Sequence, residues 1–144
     1  MYLQEQNAQA TALSRPTIPT PRQNNQASDC DSAEVHTWID QTGLRLNELD
    51  SDLDYLANYS SRSFDDYAFY AESAKQRYYA QLSQSTPGCL DGFQEIVLEK
   101  HRLFWKGLDS AANGDFDSMR EYFYRLIELN ALIEQAFQEI EKNE

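Results

Sequence analysis

The hydrophobic residues of this chain recur at intervals of three and four from Ser32 onward, which is the spacing of an amphipathic α-helix. The first run of them predicts a helix over residues 32–59. Its apolar positions alternate steps of four and three and therefore form a narrow heptad stripe. The stripe consists of Val35, Ile39, Thr42, Leu46, Leu49, Leu53 and Leu56.

A second helix is predicted over residues 63–83, with Ser63 as the residue that caps its first turn. Its apolar positions are aromatic, alanine or leucine, with no Ile or Val among them. We expect its inward face to hold Phe64, Ala68, Ala71, Tyr78 and Leu82. Tyr67, Tyr70 and Tyr79 fall outside that face, so we expect them to be exposed.

Two further helices are predicted over residues 90–112 and 115–142, because Thr86-Pro87-Gly88 and Asn113-Gly114 interrupt the pattern. The third helix directs inward Phe93, Ile96, Val97, Leu103, Phe104, Leu108 and Ala111. The fourth carries a second heptad stripe, widened on both sides, and we expect it to be the most buried helix. Its apolar positions are Met119, Tyr122, Phe123, Leu126, Ile127, Leu129, Ile133, Phe137 and Ile140. Asn130 lies on that stripe, either to fix register or at its surface edge.

Four helices joined by short turns predict an all-α fold, an up-down antiparallel four-helix bundle over residues 32–144. A three-helix core with a long, more loosely attached first helix is the variant. Residues 1–31 hold three of the four prolines and many Gln and Asn residues, which predicts a disordered tail. The PxxP from Pro16 to Pro19 either binds an aromatic groove or belongs to a solvated leader.

The balance of 12 basic against 24 acidic residues gives a net charge of −12, which opposes direct binding of nucleic acid. A mean hydropathy of −0.71 and the lack of a long apolar run argue against a membrane span. The N-terminal residues show no basic region followed by an apolar stretch, so a secretory signal is not expected. Cys30 and Cys89 are too few and too far apart for a disulfide framework. We therefore expect a reducing, cytoplasmic location.

The sequence offers no recognisable catalytic, cofactor or metal site, which predicts that the protein is not an enzyme. It has no Glu-x-x-His pair, no glycine-rich phosphate loop and no nucleophile elbow. His36 is interpreted as a surface partner of Asp40, and His101 as part of the solvated charge run of residues 99–102. Cys89 is interpreted as a small loop cysteine rather than an activated thiol.

The acidity is concentrated on the first and last helices. Residues 32–59 hold six acids against one Arg, and residues 115–144 hold eight acids against three bases, so each segment has a net charge of −5. Asp50, Asp52 and Asp54 cluster beside the leucine stripe. We expect them to be exposed and to repel one another locally. Such a surface would attract a basic protein surface.

Two functional hypotheses follow from these patterns. The first is a non-enzymatic protein-interaction module, of the adaptor, regulator or secretion-chaperone kind. It would bind another protein, through a basic surface or an amphipathic segment, with the helix-two tyrosines and the acidic faces. The alternative is an acidic inhibitor of the phage-encoded kind, which imitates nucleic acid and blocks a DNA- or RNA-binding protein. A homo-oligomer stays open, although parallel pairing of two first helices would be repulsive.

Overall fold

The computed structural model describes residues 30–58 and 63–142, which form four α-helices and a short 3₁₀ turn and include no strand. The elements are α1 (Ser32–Asn58), α2 (Phe64–Ser83), the 3₁₀ turn (Gly88–Leu90), α3 (Asp91–Ala112) and α4 (Phe116–Lys142). The predicted helices are confirmed to within a residue at each end. The predicted tail, with its PxxP, lies outside the described residues except for Cys30 and Asp31.

Side-chain caps mark where the helices begin. Asp31 Oδ1 accepts hydrogen bonds from the backbone N–H groups of Ala33 and Glu34 at 2.9 and 3.2 Å. Asp31 was assigned to the tail, but it is part of the folded unit. Ser63 caps α2 as predicted, in a reciprocal box with Asp66 in which both hydrogen bonds measure 3.1 Å.

The helices alternate in direction, which confirms the four-helix bundle. A disulfide between Cys30 and Cys89 holds the start of α1 beside the turn that leads into α3. At the opposite end, the ring of Phe116 in the first turn of α4 lies 6.3 Å from the ring of Phe64 in the first turn of α2. Thus α1 and α3 run one way, and α2 and α4 run the other.

The most buried helix is α3, and the expectation that α4 would be is wrong. Eleven residues of α3 are buried, against five of α4. The backbones of α2 and α4 both approach α3 closely, whereas α1 packs on it mainly through larger side chains. At Gly107 a Cβ atom would lie only 2.5 Å from the ring of Phe123, so the close contact between α3 and α4 requires glycine there.

The stripe of α1 is buried as predicted, with Ile39 and Leu53 only partly so. Trp38, which is not part of the stripe, is 1% exposed, and its ring centroid lies 6.0 Å from that of Phe137 in α4. In α4, Ile127 is exposed rather than buried. Asn130 is exposed as well, which matches its interpretation as an edge position.

The predicted inward face of α2 is wrong for three of its five residues. Ala71 is buried as predicted and Tyr78 is half-buried, but Phe64, Ala68 and Leu82 are exposed, and the other buried residues are Ala74 and Gln81. Tyr67 and Tyr70 are half-buried against the core instead of exposed. Alanines on the inward face allow the backbones of α2 and α3 to come close, and the large aromatic side chains are displaced to the sides of the helix.

The two cysteines, which are too far apart in the sequence to predict a disulfide framework, are bonded to each other. Cys30 and Cys89 form a disulfide with their Cα atoms 5.5 Å apart, and it closes a loop with a sequence separation of 59 residues. This Cα separation is ordinary for a disulfide, and Cys89 is buried at the 3₁₀ turn.

Reduction of this disulfide should lower the stability of the bundle, because it restores conformational freedom to a long loop of the unfolded chain. The chain-entropy relation gives about 4 kcal/mol for a loop of this size. Urea denaturation with and without reductant measures the change. A double variant, Cys30→Ser with Cys89→Ser, should match the reduced parent and ignore the reductant. Two reactive thiols in the unreduced, unfolded parent would contradict the assignment.

Candidate functional site

A surface groove of about 400 Å³ lies between α1 and α2. Its walls are formed by residues of both helices, which approach each other less closely here than α2 and α3 do. The lining residues are Leu44, Asn47, Glu48, Ser51 and Asp52 of α1, and Phe69, Tyr70, Ser73 and Arg77 of α2. The groove is open to solvent along its length, so a ligand can enter it without movement of the helices.

Large apolar side chains stand exposed on both walls of this groove. Leu44 is 64% exposed on the α1 wall, and Phe69 is 69% exposed on the α2 wall. The ring of Phe69 packs edge-on against that of Tyr70, whose centroid lies 5.4 Å away, and Tyr70 also contacts Tyr55. Single exposed apolar residues are ordinary, but two on facing walls of one groove form a candidate binding surface.

An ion pair forms the floor of the groove. Arg77 Nη2 donates to Asp52 Oδ2 at 2.7 Å, and the Arg77 side chain is 9% exposed. Arg77 Nη1 is buried and has no hydrogen-bond partner among the described residues. Glu48 is exposed one helical turn before Asp52, and it forms no ion pair within the part of the chain that the structure describes.

The α1 aspartates do not simply repel one another, as expected, because two of them are paired with basic residues. Asp50 Oδ1 accepts a hydrogen bond from Lys100 Nζ at 2.8 Å, and Asp52 accepts from Arg77 as described. These cations come from α3 and α2, so the sequence of α1 alone cannot reveal them. Asp54 is exposed and lies outside the groove lining.

The predicted tyrosines are spread over three places. Tyr70 lines the groove. Tyr67 packs against Phe116 of α4, with their ring centroids 5.9 Å apart, and Tyr79 packs against Tyr78 at 5.2 Å. Of the residues predicted to bind a partner, the groove therefore brings together Tyr70 and Asp52. Leu44 and Phe69 were missed, although each stands apart from the stripes that form the core.

A buried polar network fixes α1 against α2 and α3. Gln81 Nε2 donates to Thr42 Oγ1 at 2.9 Å and to Gln94 Oε1 at 2.8 Å. Gln94 Oε1 also accepts from Trp38 Nε1 at 3.1 Å, and Gln94 Nε2 donates to the backbone carbonyl of Gln81 at 2.7 Å. Arg45 Nη1 donates to Gln81 Oε1 at 2.8 Å. Because each group is paired only in one arrangement, the network sets the register of the three helices.

His101 does not belong to a solvated charge run, contrary to expectation. It is 1% exposed, and neither ring nitrogen has a hydrogen-bond partner among the described residues. Its burial, and then the nearby charges of Arg77, Lys100 and Arg45, lower its pKa to about 3. Glu99 and Arg102 form a partly buried ion pair, whereas Lys100 and His101 are buried. His36 is exposed.

Comparison with family models, curated proteins and solved structures finds no match to this chain. Within residues 30–58 and 63–142, no three His, Cys, Asp or Glu side chains are grouped so that they could hold a metal ion. No helix of this part of the chain has the length and apolar character needed to cross a lipid bilayer. The function is therefore inferred from the groove and its charges.

The buried neutral imidazole makes stability depend on pH. The pKa of His101 is lower in the folded chain than the ordinary value of 6.5, so the unfolded chain binds the proton first. The contribution of neutral His101 to stability is fully present above pH 6.5 and is lost as the pH drops toward 3. In that range the free energy of unfolding changes with a slope that approaches about 1.4 kcal/mol per pH unit. Urea denaturation at several pH values between 5 and 7, above the usual carboxylate range, measures this slope.

Two variants separate His101 from other titrating groups. His101→Leu should flatten the pH dependence in this window, because no proton is then taken up at this position on unfolding. His36→Gln, a change at an exposed position of α1, should keep the parental slope. If His101→Leu keeps the parental slope, His101 does not titrate as its burial requires.

Asp52 is expected to stabilise the bundle instead of repelling its neighbours. Asp52→Asn removes the negative charge that pairs with the buried Arg77. This change should lower the free energy of unfolding by about 1 to 3 kcal/mol. The matched control Asp40→Asn changes an exposed carboxylate of the same helix and should stay within about 0.5 kcal/mol of the parent. Denaturant titration of both variants gives the comparison. Equal stabilities would show that the ion pair contributes nothing.

Proposed function

We propose that this chain is a non-enzymatic helical module that binds another protein through the groove between α1 and α2. The observation that supports the proposal is the exposure of Leu44 and Phe69 on the two walls of one groove. Burial of two such side chains by a partner removes apolar surface from water, which is the main favourable term in protein association. Adaptor, regulator and secretion-chaperone roles all use a surface of this kind.

The nucleic-acid mimic is the weaker proposal. A mimic of phosphates needs carboxylates that are free to meet a basic groove. Asp50 and Asp52, which were expected to provide them, are paired with Lys100 and Arg77. The net charge of −12 still allows an acidic inhibitor, but the best-defined acidic cluster is partly neutralised within the bundle.

The disulfide bears on where the module works. Disulfides persist in oxidising compartments and are rare in the cytosol. The Cys30–Cys89 bond therefore supports a function in the cell envelope or outside the cell, and weighs against the cytoplasmic location expected from the sequence. The assay conditions should accordingly keep the chain oxidised.

The groove can be tested with peptides selected without any assumption about the natural partner. A random peptide library displayed on phage is selected against the oxidised chain, and the selected peptides are synthesised and titrated by fluorescence anisotropy. The double variant Leu44→Ser with Phe69→Ser should weaken their binding by about tenfold or more, because it removes both apolar contacts.

The matched control changes two exposed apolar residues of another helix. Tyr124→Ser with Ile127→Ser on α4 should leave peptide binding unchanged. Circular dichroism and thermal midpoints confirm that both double variants fold. Selected peptides that bind both variants as well as they bind the parent would contradict the proposal, and so would a selection that yields no specific peptide.

A further inference from the structure

We infer that the groove binds a cationic amphipathic helix of a partner protein, an inference that rests on the proposed function. In this arrangement one apolar side chain of the partner contacts Leu44 and a second contacts Phe69. A Lys or Arg between them pairs with Glu48, which lies beside the ion pair of Asp52 and Arg77. The inference combines the exposed carboxylate of Glu48 on the groove, the positions of the apolar residues and the helical nature of both walls.

The charge of the groove favours a cation. Glu48 and Asp52 are four residues apart on α1, so both carboxylates project from the same face of the helix and repel each other. Arg77 forms an ion pair with Asp52. Arg45 lies three residues before Glu48, but its guanidinium donates to the side chains of Gln81 and Gln84. Arg45 attracts Glu48 without forming an ion pair with it, so an incoming Lys or Arg would add the direct partner that Glu48 lacks among the described residues.

The negative electrostatic field of the whole chain also favours a cationic partner. The segment from residue 32 to residue 59 holds six acids against one Arg, and the whole chain has a net charge of −12. An acidic surface of this extent attracts basic segments over several ångströms, raises their association rate and loses this effect as salt is added. An acidic partner, or a second copy of this chain, would be repelled instead.

The apolar contacts lie at opposite ends of the groove. Since α1 and α2 are antiparallel, and since Tyr55 contacts Tyr70 while Arg45 contacts Gln81, Leu44 lies toward the C-terminal end of α2 and Phe69 toward its beginning. By these contacts Leu44 lies near the level of Gln81 and Phe69 near the level of Tyr55, so about 11 residues of helix, or about 17 Å, separate the two apolar residues along the groove. This length matches three turns of a partner helix with apolar residues at i and i+11.

Helical walls favour a helical ligand. The backbone groups of α1 and α2 are already paired within each helix, so they offer no ladder of hydrogen bonds to an extended strand. A partner that arrives as a helix satisfies its own backbone and presents one apolar and basic stripe to the groove. A basic residue at i+4 or i+7 lies on the same stripe and then falls between the two apolar contacts, beside Glu48.

The inference is tested with a set of synthetic peptides of about 14 residues that share one helical pattern of apolar positions. The charged positions are all Lys in one peptide, all Gln in the second and all Glu in the third. A fourth peptide is the Lys peptide with a central proline that breaks the helix. Each is titrated against the oxidised full chain at low and at high salt by fluorescence anisotropy.

The Lys peptide should bind about tenfold tighter than the Gln peptide at low salt, and the Glu peptide should bind more weakly than either. High salt should remove the difference between the Lys and Gln peptides. Glu48→Lys should weaken binding of the Lys peptide by about tenfold and favour the Glu peptide. Glu134→Lys, the same charge change at an exposed position of α4, should have a much smaller effect.

Each contrary result would exclude one named part of the inference. If the Gln or Glu peptide binds as tightly as the Lys peptide, and Leu44→Ser with Phe69→Ser abolishes that binding, the cationic partner is excluded while the proposed groove function stands. Equal binding of the proline peptide excludes a helical ligand. Sedimentation that shows a dimer, dissociated by the same double variant, identifies a second copy as the occupant. Failure of every designed peptide, while library peptides still bind in the groove, overturns the inference alone.

Discussion

The buried polar side chains of α3 need hydrogen-bond or ion-pair partners on the neighbouring helices, and the position of α1 depends on that requirement. Gln94 is paired with Trp38 and Gln81, and Lys100 is paired with Asp50. Burial of an amide or an ammonium group without a partner is costly, so these contacts hold α1 in one register. The close backbone contacts of α3 with α2 and α4 provide the dense core, whereas α1 is located mainly by polar pairing.

The candidate binding surface arises from the same arrangement. Because α1 approaches its neighbours through long side chains, the space between α1 and α2 stays open at the surface. The ion pair of Arg77 and Asp52 closes the floor of that space, and Leu44 and Phe69 are left exposed on its walls. The residues that position α1 and the residues that face a partner are thus adjacent, so binding and the stability of α1 are physically linked.

The four helices and the buried stripe of α1 could be predicted because they depend on local periodicity, which a single sequence displays. The orientation of α2 could not be predicted, because alanines and tyrosines occur on all sides of this helix. Only the neighbouring helices determine which of its sides is buried. For the same reason the partners of Asp50 and the burial of His101 were missed. Of the candidate site, Tyr70 and Asp52 were named in advance, but Leu44 and Phe69 become significant only when two helices are placed side by side.

The Cys30–Cys89 bond also has a consequence for how copies of the chain can associate. Exchange of one helix between two copies of a bundle is a form of domain swapping, which is a low-cost route to dimers. Here the first helix is joined covalently to the turn before α3 of its own chain. Exchange of α1 would require that bond to break, so in the oxidised protein each molecule keeps its own α1 at any concentration.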